Sequence, residues 1–322
     1  MSPDQPEVPE LHHGLLMALS YRFLGSISEA EDATQETYLR WFRLAPDERS
    51  EITNPRAWLS TTVSRICLDT LKSARARRER YVGEWLPEPV PPTLHWTTLA
   101  NRTDAIDPAD RIGMNESISL AILVLLESMT PAERVALILH DVFEYRFVEI
   151  GNVLGRSAEA CRQLAANARR RVRQSRRTPI ARDAHAAAVH AFHRAWESGD
   201  IAALVRTLDP AAQAVVDGGG AVSAALAPIH GARKVAEFFA GAHTRAPGLV
   251  THEAIVGGEP GLVATAQGRT VAAMGFEIRS ERITAVWALR NPDKLTRWGG
   301  RYSRSFRLKK RTFSGLLAAG AA

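Results

Sequence analysis

Arg162, Gln163, Asn167, Arg169, Arg170 and Arg171 lie in one short run of the chain. Arginine presents a forked cation that fits a guanine edge or a phosphate, and Gln or Asn matches the donor–acceptor pair of adenine. The same run places Cys161, Leu164, Ala165, Ala168 and Val172 at helical spacing, so a narrow apolar stripe is buried and the polar set projects away from it. Upstream, Phe147, Ile150 and Leu154 mark a shorter helix, Gly155 suits the position after its last turn, and Ser157 suits the cap of the next. Two helices joined this tightly, the second rich in base- and phosphate-reading side chains, predict a helix-turn-helix that enters a DNA groove. Thr130-Pro131-Ala132-Glu133 opens the preceding helix, which continues through Val135, Leu139 and Val142.

A second polar constellation lies at 30–42, AEDATQETYLRWF. Ala30, Ala33, Thr37, Tyr38 and Trp41 share one side of a helix, whereas Asp32, Gln35, Glu36 and Leu39 share the other. By itself this face reads either as an ordinary solvated surface with one stray leucine or as a docking surface in which carboxylates and an amide surround a central apolar contact. The helix before it carries Leu15, Leu16, Leu19 and Phe23 and stops at Gly25, and Ser28-Glu29-Ala30-Glu31 reads as a capping box. After it, Asn54-Pro55 opens a helix with a stripe of Trp58, Leu59, Val63, Ile66 and Leu71, which predicts a core role for Trp58. That helix ends in Lys72, Arg75, Arg77 and Arg78.

These elements sit in a chain of 322 residues, 45% hydrophobic and 24% charged, with material for two or three domains. The net charge of +6 is unevenly spread: residues 156–182 hold nine arginines against one glutamate, while residues 28–51 hold seven acids against three bases. Separated basic patches and one acidic face imply two partners, one a polyanion and one basic. No apolar run reaches the roughly 18 residues of a membrane span, and the acidic, proline-containing start is unlike a signal peptide. Two isolated cysteines, Cys67 and Cys161, read as small core residues of a cytoplasmic protein. Neither a metal site nor a cofactor motif is expected.

Between the basic helices runs WLPEPVPP, Trp85 to Pro92. Proline fixes φ and removes a donor, so this segment is stiff and extended, unlike a Gly/Ser tether. From about 180 the composition turns α+β: a helix, a break at Gly199-Asp200, a strand ending in DGGG at 217–220, a helix in GARKVAEFFAGA, then strands near 249–256, 261–267, 271–278 and 283–290. Acid–base chemistry here would need two of Asp217, His230, His243 and His252 to converge. The glycines of DGGG, lacking a following Lys-hydroxyl pair, fit a tight turn rather than a phosphate loop.

Taken in order, the AEDATQETYLRWF helix, the NPRAWLSTTVSRICLDTLKSARARR segment and the terminal helix-turn-helix resemble regions 2 and 4 of bacterial sigma factors of the extracytoplasmic-function class. WLPEPV, DGGG and NPDKL at 291–295 resemble the subgroup with a fused SnoaL-like C-terminal domain, although Ala221 stands where that group usually has lysine. The implied architecture is multidomain: two all-α DNA- and polymerase-binding domains plus an α+β SnoaL-like cone. Its expected parts are region 2 at 8–82, a proline-rich linker at 83–112, region 4 at 113–178, a regulatory domain at 179–295 and a basic tail at 296–322.

The resemblance implies that Asp32, Gln35, Glu36 and Leu39 dock on core RNA polymerase. It implies that Lys72, Arg75, Arg77 and Arg78 meet the −10 promoter element. Ser157, Arg162, Gln163, Asn167, Arg169, Arg170 and Arg171 would meet the −35 element, the first arginine and the glutamine on base edges, the last three arginines mostly on phosphate. In this reading Trp85, Leu86 and Pro87 dock against Asp217, Gly218, Asn291, Asp293 and Lys294, so that the third domain modulates the first two without catalysis. A small ligand in the third domain, an autonomous helix-turn-helix regulator, and a SnoaL-type enzyme with a DNA-binding half stand as alternatives.

Overall fold

The computed structural model describes residues 12–78, 81–91, 119–175 and 180–299, without side chains at 74–78, 175 and 243–245. The basic tail from residue 300 on and His243's side chain lie outside the described residues. The chain divides into two compact units, one holding residues 12–78 and 122–175, the other 81–91, 119–121 and 180–299.

The first unit is helical. α1 (His13–Leu24) is buried from Leu16 through Leu24 and ends at Gly25, whose φ of 69° lets its N–H reach Tyr21 O at 2.8 Å. α2 (Ile27–Arg43) is capped by Ser26, whose Oγ accepts from Glu29 N at 3.4 Å. The cap therefore sits two residues before the expected Ser28. Ser26 is extended directly after the left-handed glycine, and Ser28's hydroxyl bonds to Ser26 instead, at 3.1 Å. After α3 (Pro46–Glu51), α4 (Pro55–Arg78) starts as expected, with Asn54 Oδ1 accepting from Ala57 N at 3.0 Å. Trp58 meets Trp41 edge-on at 5.4 Å, a packing role.

α5 (Leu120–Glu127) leads to α6 (Pro131–Asp141), whose Thr130–Glu133 capping box is closed in both directions. α7 (Phe147–Leu154) ends at Gly155 with φ 65°, and Ser157 Oγ accepts from Ala160 N at 3.2 Å to start α8 (Ala158–Ser175). Cys161, Ala165 and Ala168 are fully buried. The small side chains let α8 approach α6 and α7 closely. Within this unit Arg134 of α6 is buried and donates to Phe23 O of α1 and to Glu127, each at 2.7 Å, while Arg65 of α4 donates to Asn152 O of α7 at 2.7 Å. The helices before residue 78 and those after residue 120 are thus joined by arginine-to-carbonyl bonds.

The second unit is α+β. Helices α9 (Arg182–Glu197), α10 (Ile201–Thr207) and α11 (Ala232–Arg245) accompany a six-stranded sheet in the order β2-β1-β6-β5-β4-β3. Its strands are β1 (Leu208–Asp217), β2 (Ile229–His230), β3 (Leu249–Val256), β4 (Glu259–Ala266), β5 (Arg269–Arg279) and β6 (Arg282–Leu289). All pairs are antiparallel except β1–β6, which run parallel. Phe192, Trp196, Phe239 and Phe276 fill the space between helices and sheet, and Trp196 Nε1 donates to Phe239 O at 2.7 Å.

Candidate functional site

On α8 the sequence pattern becomes a geometry. Arg162, Gln163 and Arg170 are exposed, Gln163 donating to Asn167 at 3.2 Å and Arg170 to the same Asn167 at 2.9 Å. Arg162 pairs with Glu159 and lies over the Phe147 ring at 5.4 Å. Arg169 differs from the expectation of a phosphate contact. Both ends of its guanidinium fork bind Asp141 of α6, at 2.8 and 2.5 Å, so it clamps α8 to α6. Arg171 donates to Ser128 O at 3.3 Å and lies 3.9 Å from Glu133. Arg169→Ala is expected to lower the unfolding free energy by about 1 kcal/mol, the upper range for a partly exposed pair. Arg170→Ala is expected to leave stability unchanged and to flatten the salt dependence of DNA affinity by about one unit of slope. Urea melts and salt-titrated DNA binding on both variants check the division.

On α2, Asp32 and Gln35 are exposed, Glu36 pairs with Arg40 at 2.9 Å, and Leu39 is 51% exposed. Phe42, 46% exposed, widens this apolar spot. It follows Leu39 by three residues, and the helical period alone would have included it. On α4, Lys72 is exposed and pairs with Asp69 at 2.9 Å, while the side chains of Arg75, Arg77 and Arg78 lie outside the described residues.

The densest polar cluster belongs to the second unit and centres on Asp217, the last residue of β1, which is 0% exposed. A buried carboxylate is costly unless donors surround it. Oδ1 accepts from Tyr81 OH at 2.7 Å and Gly219 N at 3.0 Å, and Oδ2 accepts from Leu86 N at 3.0 Å and Lys294 Nζ at 2.7 Å. Lys294 also donates to Leu86 O at 2.5 Å, and its ammonium lies 4.2 Å from the Trp85 ring centre. Both backbone polar groups of Leu86 are therefore held by side chains of one ion pair. Asn291 Nδ2 donates to Tyr81 OH at 2.7 Å. Burial and the adjoining carboxylate push the Tyr81 phenol up, so it stays a donor. Leu86, Pro87 and Val90 are buried, and Val90 O accepts from Gly257 N at 3.2 Å.

Of the eight residues expected at this contact, Asp293 departs. Its side chain is exposed, and it contributes a backbone N–H to Asn291 Oδ1 at 3.0 Å, which shapes the Asn-Pro turn. Gly218 contributes a carbonyl that accepts from Ala221 N at 3.1 Å. Tyr81 was not singled out from the sequence. Its only signal is an aromatic four residues before Trp85. Gly219 shows why the loop needs glycine: φ is 61°, and a Cβ would lie 2.5 Å from the Asn291 side chain. Gly219→Ala is therefore expected to destabilise the second unit by more than about 1 kcal/mol, read from its thermal melt. His230 pairs with Gln213 at β1's midpoint, about 13 Å along the strand from Asp217, and His252 lies exposed on β3. Among the described candidates, Asp217, His230 and His252 do not converge.

A helical pair of bodies, one with an acidic and apolar face and one with a helix-turn-helix, defines the class of sigma-70-type initiation factors. The Sigma-70 region 2 family matches residues 10–77 and the Sigma-70 region 4 family residues 119–172. The ECF RNA polymerase sigma factor SigJ of Mycobacterium tuberculosis is 38% identical over 294 residues, spanning 87% of this chain and 90% of SigJ. The probable ECF sigma factor SigI of the same species is 33% identical, spanning 88% of this chain and 92% of SigI. The crystal structure of M. tuberculosis SigJ superposes with a TM-score of 0.66 at 33% identity, covering 90% of this chain and 98% of that one. The chain belongs to the ECF RNA polymerase sigma factors and carries a C-terminal α+β domain. Its partners are core RNA polymerase and promoter DNA. Among the described residues no helix is long and apolar enough to cross a membrane.

Proposed function

We propose that the C-terminal domain is a latch that restrains this sigma factor by holding the segment between regions 2 and 4. The observation that carries the reading is Asp217, whose four donors include Tyr81 and Leu86 from that segment. The segment is held at its other end as well: Leu120 is buried, and its side chain lies 3.1 Å from where a Cβ on Gly275 would stand. Region 2 and region 4 are meanwhile joined in one compact unit. Two promoter elements lie apart along the duplex, so reading both requires the two bodies to separate. With both ends of the connection pinned, that separation first requires release.

In this account Asp32, Gln35, Glu36 and Leu39, with Phe42, dock on core polymerase. Lys72, Arg75, Arg77 and Arg78 track DNA at the −10 element, and Arg162 and Gln163 read the −35 element. Arg170 holds phosphate. The C-terminal domain acts through contact rather than catalysis: the buried carboxylate among its described candidates is surrounded by donors, and His230 and His252 lie elsewhere. The protein works where core polymerase is found.

Hydrogen exchange on the free chain and on its complex with core polymerase tests the latch. The amides of residues 84–91 should be protected in the free protein and should exchange faster in the complex. Equal protection in both states would mean that the segment is a fixed structural strap, not a releasable one.

A further inference from the structure

The second unit carries a concavity that the latch does not use. It has a volume of about 510 Å³ and lies where α10, β2, the start of α11 and the starts of β1 and β6 meet. That volume falls within the range of small-molecule sites. Its floor is apolar, formed by Val205, Leu208 and Pro210, with Leu208 fully buried in the core. Its ionisable lining is His230, Arg233, Lys234 and Arg282, with no carboxylate among the lining residues. Arg233 is neutralised by Glu237 at 3.1 Å, but among the described residues no acid pairs with Lys234 or Arg282. Arg282 instead donates through Nη1 to Leu208 O at 3.4 Å, which holds its guanidinium at the edge of the apolar floor.

Like charges gathered round an apolar recess repel one another, and an anion among them relieves that repulsion. We propose that this cavity binds an amphipathic organic anion: a carboxylate, sulfonate or phosphate head on an apolar body. Arg282 offers the head a bidentate fork, Lys234 and His230 add donors, and Val205 and Pro210, above the buried Leu208, meet the body. A fully polar anion would leave the floor wet, and a neutral apolar molecule would leave the cations unbalanced. β1 and β6 both begin at this cavity, and Asp217 closes β1 at its far end, about 30 Å along the strand from Leu208 and about 13 Å from the register position of His230, the lining residue nearest to it. Variants of the cavity therefore leave the latch contacts in place.

The probes are 1-anilinonaphthalene-8-sulfonate, followed by fluorescence on the full chain, and its competitors dodecanoate, dodecanol and inorganic phosphate. Saturable binding is expected, with dodecanoate displacing the dye at least tenfold more effectively than dodecanol or phosphate. Arg282→Gln and Lys234→Gln should each weaken dodecanoate at least tenfold, whereas Arg194→Gln on α9 should not. Dodecanoate should also raise the urea midpoint of the unmodified chain and not that of Arg282→Gln, which separates a site from dye adsorbed to loosened structure. Equal displacement by phosphate would reduce the feature to a basic patch. Unchanged affinity in Arg282→Gln, or no saturable binding, would overturn the proposal outright.

Discussion

Lys294→Met is expected to release residues 81–91 from the C-terminal domain while the sheet beneath stays folded. The substitution keeps the side chain's length and apolar stem but leaves Asp217 buried with no counter-charge and Leu86 O without its donor. Removing one partner of a buried ion pair costs about 3–5 kcal/mol. Much of that penalty is relieved if the strip lifts off and water reaches the carboxylate, so the loss falls on docking rather than on the core. Limited proteolysis near Trp85 should accelerate a hundredfold or more, since each 1.4 kcal/mol shifts the open fraction tenfold. Asp217→Asn is expected to do the same from the other side, by placing an amide where Lys294 and Leu86 N need an acceptor. The double variant should lose less than the sum of the two, because the surviving charge is what each single change strands.

Arg134→Ala is expected to produce the largest loss of stability in the helical unit. The guanidinium is 3% exposed and is shared between Phe23 O of α1 and Glu127. Burial pulls its pKa down to about 9, still above neutrality, so the guanidinium stays charged and its burial is offset by the carbonyl and carboxylate that face it. Truncation strands both acceptors and opens a void beside α1, for an expected cost of about 3–5 kcal/mol. Exchange at the C-terminal end of α1 should rise first, since Phe23 sits there. A variant that melts like the parent chain would show that the bond contributes no cohesion between regions 2 and 4.

Elements with a short period were legible in the sequence, and contacts between distant residues were not. The helix-turn-helix followed from the spacing of Cys161, Ala165 and Ala168 and from two caps, all within about 25 residues. The long strands of the C-terminal domain were placed to within two or three residues at their starts, but β2 is two residues long and has no period to detect. Arg169 looked like its neighbours because its partner, Asp141, is 28 residues away and belongs to another helix. The docking of WLPEPV was expected from proline stiffness, the apolar anchor of Trp85 and Leu86, and the DGGG and NPDKL motifs that carry the family resemblance. The chemistry that fastens it joins Tyr81, Asp217, Asn291 and Lys294 across up to 210 residues of sequence, and no local pattern encodes that. Asp293 was named beside Asn291 and Lys294 for a related reason: a charge in a turn draws attention, whereas the structure uses its backbone to aim Asn291.

Run-off transcription with core polymerase on a promoter this factor recognises tests the central claim most directly, comparing the full chain with Asp217→Asn at equal, saturating concentrations. Circular dichroism on both proteins fixes that each is folded. If the latch restrains initiation, the Asp217→Asn chain yields several times more transcript from the same promoter. Equal or lower yield from a folded Asp217→Asn chain would contradict the account.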